Sequence, residues 1–208
     1  MKRCVIVGGA PIGNYERILS LLSPDDFMIY CDSGLNHEKG LRRAPGLVVG
    51  DFDSHERPES SAEIIARPRE TDDTDTIFAA KEAIRRGFDD FLLVGVLGGR
   101  FDHSLGNLSL LLYLDSRGKR ALLADDFSEM EIVSRKPAEI PSAYPYFSLL
   151  AVDGEARDVV VEDAFYPLSG AAITPDFAYG VSNEPLPGKT ARVSVGEGRL
   201  LLVRVREG

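Results

Sequence analysis

Cysteine is scarce in this 208-residue chain, which has only Cys4 and Cys31. Each lies inside an apolar run, KRCVIVGG and FMIYCD, where a reduced thiol packs as a small hydrophobe. Two such residues form neither a disulfide framework nor a zinc-binding set. Basic residues are the minority, 24 Lys and Arg against 33 Asp and Glu, for a net charge of −9. An acidic chain repels nucleic-acid backbones unless it carries a local basic patch, and Arg42–Arg43 and Arg85–Arg86 are isolated pairs. No nucleic-acid partner is expected. Long apolar runs are also missing: none approaches the roughly 20 residues that cross a bilayer as a helix, so no membrane partner is expected. The N-terminus passes straight into a strand pattern without an apolar leader, and the expected location is the cytoplasm. Neither G-x-x-x-x-G-K-[ST] nor G-x-G-x-x-G is present.

What is present falls into two rhythms. In the first, short apolar runs alternate with helical spacing. Cys4–Val7, Phe27–Cys31, Gly46–Val49, Phe91–Leu97 and Arg120–Ala124 read as strands. Glu16–Leu22, Thr74–Arg86 and His103–Ser116 read as helices, the last two followed by Gly87 and Gly118. Alternating strand and helix implies a parallel sheet covered on both faces. In the second rhythm helical spacing is gone. Tyr146–Val152, Arg157–Glu162, Thr190–Val195 and Arg199–Val205 read as strands, with Gly196–Glu197–Gly198 as a tight hairpin joining the last two. The expected class is α/β: a three-layer, Rossmann-like parallel-sheet domain over residues 1–135, followed by an antiparallel β-sandwich over residues 136–208, with the boundary in the Pro137–Pro141 region.

The informative feature is where aspartates fall. Asp32 follows one strand, Asp51 and Asp53 another, and Asp102 follows a third after Gly98–Gly99–Arg100. Asp72, Asp73 and Asp75 open a helix. Parallel strands present all their C-terminal ends along one edge, where ligands bind, so Asp32, Asp51, Asp53 and Asp102 are expected to gather there, with Asp75 beside them. Crowded carboxylates need protons or cations. Mg²⁺ prefers oxygen ligands and typically takes a few carboxylates together with substrate phosphates. Gly8–Gly9 and Gly98–Gly99 offer bare backbone N–H groups to phosphate oxygens, and Arg100 complements developing charge. Taken singly, each has a plainer role: Asp72 and Asp73 as solvated helix-start acids, Thr74 as an N-cap, His37 and His55 as surface residues. His103 either orients Asp102 or caps its helix.

These segments resemble the thiamine pyrophosphokinase family. Asp32–Ser33–Gly34–Leu35–Asn36 is similar to its D-G-G-A-N, and Gly50–Asp51–Phe52–Asp53–Ser54 matches G-D-F-D-S. Asp72–Asp73–Thr74–Asp75–Thr76 resembles D-x-T-D, Gly98 to His103 with Leu105 and Asn107 matches G-G-R-x-D-H-x-L-x-N, and Gly180 to Glu184 matches G-[IV]-S-N-E. Departures are Ser33 and Leu35 in the first motif, and Glu70 and Thr71 where Lys often precedes D-x-T-D. The resemblance implies transfer of diphosphate from ATP to the hydroxyl of thiamine, and a homodimer with its site between chains. It implies Asp51, Asp53 and Asp75 as Mg²⁺ and phosphate holders, with Asp32 and Asp102 beside them. Asn36, Thr74 and Arg100 would lie on the nucleotide, and Ser182 and Asn183 would face thiamine. Either Asp32 or Asp102 is the expected proton acceptor. The acid cluster by itself also suits another acceptor such as a hydroxymethyl pterin, a non-catalytic thiamine or nucleotide binder, or a nucleotide hydrolase.

Overall fold

The computed structural model describes residues 2–51, 62–68 and 72–206. They form two compact units, divided between Asp126 and Phe127.

The first unit alternates as its sequence rhythm requires. In chain order it contains β1 (Arg3–Val7), α1 (Tyr15–Leu21), β2 (Phe27–Cys31), a 3₁₀ helix (Asp32–His37), α2 (Glu38–Leu41), β3 (Leu47–Gly50) and β4 (Glu63–Ala66). Then follow α3 (Asp75–Arg85), β5 (Asp90–Val94), α4 (Phe101–Ser116) and β6 (Arg120–Ala124). The strands lie in the order β6-β5-β1-β2-β3-β4, every pair parallel. Central strands are apolar along their whole length, because both faces are covered: Cys4, Val5, Ile6 and Val7 have no exposed surface. Val5, Val7, Met28, Tyr30, Leu92 and Val94 share a core with Ile18 of α1 and Leu41 of α2. The alternate residues point to the other face, where α3 packs on β1 and β2. Thr74 caps α3, its hydroxyl accepting from Ile77 N at 3.3 Å.

Strand β5 stops at Val94, three residues before the expected end at Leu97. Gly95 turns the chain with φ +61°, and a Cβ there would lie 2.6 Å from the Gly8 carbonyl oxygen. The loops after β1 and β5 therefore touch along bare backbone, with Gly8 N donating to Val94 O and Ala10 N to Gly95 O.

The second unit is all strand: β7 (Ser128–Val133), β8 (Ala138–Pro141), β9 (Tyr146–Ala151), β10 (Ala156–Glu162), β11 (Leu168–Ile173), β12 (Gly180–Asn183), β13 (Thr190–Ser194) and β14 (Leu200–Val205). Antiparallel pairing runs β12-β9-β14-β7 in one set and β11-β10-β13-β8 in a separate sheet. Both contribute to one hydrophobic core, Phe147, Leu149, Leu200 and Leu202 from the first, Ile140, Val159, Val161 and Val193 from the second.

Two differences from the sequence reading have local causes. The boundary falls after residue 126 and not after 135, because Ser128–Val133 pairs along its full length with β14. The hairpin expected at Gly196–Glu197–Gly198 does not pair β13 with β14: β13 pairs with β10 and β8, and β14 with β7 and β9. The glycine turn instead passes the chain from one set of strands to the other. Its backbone is held by Arg157, whose carbonyl accepts from Gly196 N and Glu197 N.

Candidate active site

At the C-terminal edge of the parallel sheet lies a cleft of about 680 Å³, all of whose lining residues belong to the first unit. Such a volume suits a small-molecule ligand. Five of the six strand ends contribute. Gly8 to Pro11 follow β1, Asp32 and Ser33 follow β2, Asp51 follows β3, Arg67 follows β4, and Gly95 to Asp102 follow β5.

The turn after β2 brings an acid into this cleft. Asp32 has φ +46°, in the left-handed region that Asp tolerates better than most residues. The 3₁₀ helix it begins is pressed against the end of β1, and a Cβ on Gly34 would lie 2.3 Å from the Val7 carbonyl oxygen. Only glycine fits there, so the one glycine retained in this motif is the one the packing demands. Ser33 fills the space against Gly9, where a Cβ would meet its Oγ at 2.0 Å.

The charges of Asp32 and Asp51 act on Asp75. The Asp75 carboxyl is raised above its ordinary value, first by burial, with the charges of Asp32 and Asp51 adding and the Arg67 guanidinium opposing. Arg67 is buried, with its side chain 6% exposed. Its Nη1 donates to Asp75 Oδ1 at 2.9 Å and its Nη2 to the Asp73 carbonyl at 2.9 Å, and the guanidinium lies 4.6 Å from the centre of the Phe78 ring. Asp73, which also lines the cleft, holds Lys81, whose Nζ donates to both of its carboxylate oxygens at 2.7 Å.

A buried polar relay ties α3 to α4. Thr76 Oγ1 donates to Asn107 Oδ1 at 2.7 Å, and Asn107 Nδ2 donates to the Val96 carbonyl at 2.8 Å. At the start of α4, Arg100 and Asp102 form a two-point ion pair, Nη2 to Oδ2 at 2.6 Å and Nε to Oδ1 at 3.2 Å. The guanidinium draws the Asp102 carboxyl down to about 2. His103 is exposed, and its backbone N–H donates to Asp102 Oδ1 at 3.0 Å.

The loop after β1 is held from behind by His37. Tyr15 O–H and His37 Nδ1 lie 2.7 Å apart, and His37 Nε2 is 3.0 Å from the Ala10 carbonyl, which only accepts. That arrangement puts a proton on Nε2, and burial lowers the imidazole pKa, which favours the neutral ring. His37 is thus an interior residue, contrary to the surface role read from the sequence; its partners are too distant in sequence to signal it.

The model of the thiamin pyrophosphokinase catalytic domain matches residues 18–123, just over half of the chain and including every acid of the cleft. The chain belongs to the thiamin pyrophosphokinase family. Among curated relatives, the thiamine pyrophosphokinase of Bacillus subtilis strain 168 is 25% identical over 212 aligned positions, spanning 98% of this chain and 99% of the relative. Thiamine pyrophosphokinase 1 of Oryza sativa is 36% identical over 101 positions, 42% of this chain and 38% of its own length. The fold agrees with solved structures: the Bacillus subtilis thiamine pyrophosphokinase superposes with a TM-score of 0.88 at 22% identity, covering all of both chains. The Candida albicans thiamin pyrophosphokinase does so at 0.80 and 12% identity, covering 99% of this chain and 90% of that one.

Within this family frame, the cleft gathers Asp32, Asp51, Asp75, Asp102, Thr74 and Arg100. Asp53 lies outside the described residues. Asn36 is exposed and is not among the residues that line the cleft. Ser182 and Asn183 belong to β12 of the second unit. Ser182 is exposed with φ +59°. Asn183 is buried, and its amide is committed to backbone: Oδ1 accepts from Tyr166 N and Glu184 N, and Nδ2 donates to Tyr166 O. Among the described residues no group of three His, Cys, Asp or Glu could hold a metal ion. Sequence reasoning missed Arg67 altogether, and it took Thr76 and Asn107 as motif positions without a role. A cation followed by Pro68, shortly ahead of an acidic helix start, was the available signal for Arg67.

Proposed function

We propose that the protein transfers the β,γ-diphosphate of ATP to the hydroxyl of thiamine in a cleft that also takes Mg²⁺. The observation that carries this reading is the meeting of Asp32, Asp51 and Asp75 with the bare backbone of Gly8–Gly9 and Gly98–Gly99 in one cleft. Mutually repelling carboxylates in a partly buried site call for a cation. Oxygen donors suit Mg²⁺, which commonly takes one or two carboxylates and completes its shell with water and phosphate oxygens. Asp51 and Asp75 fit that pattern without a third described donor; Asp53, outside the described residues, joins them in this reading on its motif position alone. Bound there, Mg²⁺ supplies charge neutralisation at the phosphates.

The chain's own residues then bind and orient. Backbone N–H groups of the two glycine pairs offer donors to phosphate oxygens. Arg100 lines the cleft and stays paired with Asp102 through Nε and Nη2, which leaves Nη1 to donate to an anion. A carboxyl held at about 2, as in Asp102, is a poor proton acceptor, which favours Asp32 as the acceptor of the hydroxyl proton. The thiamine oxygen bonds to the β-phosphorus, the bond from that phosphorus to the α,β-bridging oxygen breaks, and AMP departs with that oxygen. Positioning and electrostatics carry most of such a transfer.

Ser182 remains the thiamine-facing residue of this reading. Asn183 acts through the Tyr166 backbone that it holds. The reading includes a homodimer, supported by the exposed Phe165, Tyr166, Phe177 and Tyr179 of the second unit, and a cytoplasmic setting, which suits two buried free thiols. Asp51→Asn and Asp75→Asn test it. Each is expected to fold normally and to lose at least the roughly 10–100-fold in activity that even an outer partner of a metal ligand is worth. Wild-type turnover in both at saturating Mg²⁺ would remove these carboxylates from the site.

A further inference from the structure

We infer that Arg67 is a positioning residue that fixes the spacing between Asp51 and Asp75, an inference resting on the reading of those two carboxylates as the metal-holding pair. Its two ends grip two different elements. The Arg67 backbone N–H donates to the Gly50 carbonyl at 2.9 Å, one residue before Asp51 at the end of β3. Its guanidinium donates to Asp75 Oδ1 and to the Asp73 carbonyl, both at 2.9 Å, at the start of α3. One residue therefore spans the gap between the strand end and the helix start that carry the pair. The bridge is rigid: Phe78 stacks on the guanidinium, Pro68 follows directly, and the side chain is almost wholly enclosed. A guanidinium is required because its planar fork serves a carboxylate and a carbonyl at once, whereas an ammonium is a point charge. The bond to Asp75 engages Oδ1, and Asp75 still lines the cleft.

A positioning role and a mere charge-balancing role predict opposite signs. Removing a cation from an acidic site strengthens metal binding if charge is all that Arg67 supplies. Binding weakens if the residue holds the ligands in place. Water-proton relaxation enhancement by Mn²⁺, with α,β-methylene ATP present to block transfer, reads the ternary complex for wild type, R67Q and R67K. Steady-state KM for thiamine is measured alongside. R67Q is expected to weaken Mn²⁺ binding about 10- to 100-fold, the range for loss of an outer partner of a metal ligand, with KM for thiamine unchanged. R67K, which keeps the charge and the stem but not the fork, is expected to fall between R67Q and wild type. Equal or tighter Mn²⁺ binding in a folded R67Q overturns the inference. If R67Q does not fold, R67K binding Mn²⁺ as tightly as wild type overturns it. A wild-type protein that forms no Mn²⁺ complex overturns the metal reading itself, so the two failures are told apart.

Discussion

Replacing Asn107 with leucine, which is close to it in volume, removes the centre of the relay between α3 and α4. Asn107 and Thr76 are both buried, and the relay has two short bonds, Thr76 Oγ1 to Asn107 Oδ1 at 2.7 Å and Asn107 Nδ2 to the Val96 carbonyl at 2.8 Å. A lost bond is worth about 1 kcal/mol net, and a buried carbonyl left without a donor costs about 1–3 kcal/mol. The Thr76 hydroxyl has a second partner in Thr74 Oγ1 at 3.1 Å, so its share is the smaller one. N107L should therefore destabilise the first unit by about 2–4 kcal/mol. T76V strands Asn107 Oδ1 and should cost about 1–3 kcal/mol by the same reasoning. In T76V/N107L only the Val96 carbonyl is left stranded, so the double variant should cost little more than N107L alone. Urea unfolding of the four proteins, followed by helical circular dichroism, closes the cycle. Costs that add to within about 0.5 kcal/mol, as for independent sites, would refute the relay.

Three further outcomes follow from the packing and the ion pairs. G34A places a methyl 2.3 Å from the Val7 carbonyl oxygen; it should cost about 1–3 kcal/mol, as overpacking does, and should raise KM for ATP by displacing Asp32, as thermal unfolding and steady-state kinetics will measure. Cys4 and Cys31 are buried, and burial pushes both thiols up from the usual thiol range, so a thiol reagent should label neither in the native protein and both in denaturant. Arg85 and Arg86 hold the Glu82 carboxyl at about 2, below its unfolded value of 4.5. That pairing contributes stability above pH 4.5 and loses it as pH falls toward 2, so E82Q should flatten the stability profile across that window.

Much of the parallel-sheet unit is legible because its strands are apolar throughout and its helices carry their own stop signals. β2 and β6 span the residues that their apolar runs mark out, and β1 begins one residue earlier. The gathering of acids was legible for a topological reason: parallel strands share an edge, so residues far apart in sequence are brought together without any pairwise signal. Polar strands were not legible. β7 reads SEMEIV, with acids at alternate positions, and periodicity gives it no buried face. Its acids are accommodated by Arg204 of β14 and Arg206 just beyond it, which pair with Glu131 and Glu129, and by Tyr144, whose hydroxyl donates to Glu129 at 2.8 Å. β4 has four residues, of which the outer two are exposed, which is too short a pattern to separate from a loop.

The site shows the same division. Acids at strand ends were found from order alone, while residues whose role lies in holding something else were not. Arg67, His37 and Asn183 each act through bonds to distant backbone or side chains. Local signals for them are weak: an arginine beside a proline ahead of an acidic helix start, a histidine ending a 3₁₀ helix and a Ser-Asn pair are all ordinary loop chemistry. Asn183 shows this best: a motif position expected on a ligand also ties its Oδ1 and one Nδ2 hydrogen to the Tyr166 and Glu184 backbone.

The account stands or falls on what is made when the purified protein meets ATP, Mg²⁺ and thiamine. Chromatography of the products, with each component omitted in turn, is the direct measurement. AMP and thiamine diphosphate in equal amounts, formed only when all three are present, is the predicted result. ADP, inorganic phosphate, or nucleotide breakdown without thiamine would contradict it, as would ATP left untouched.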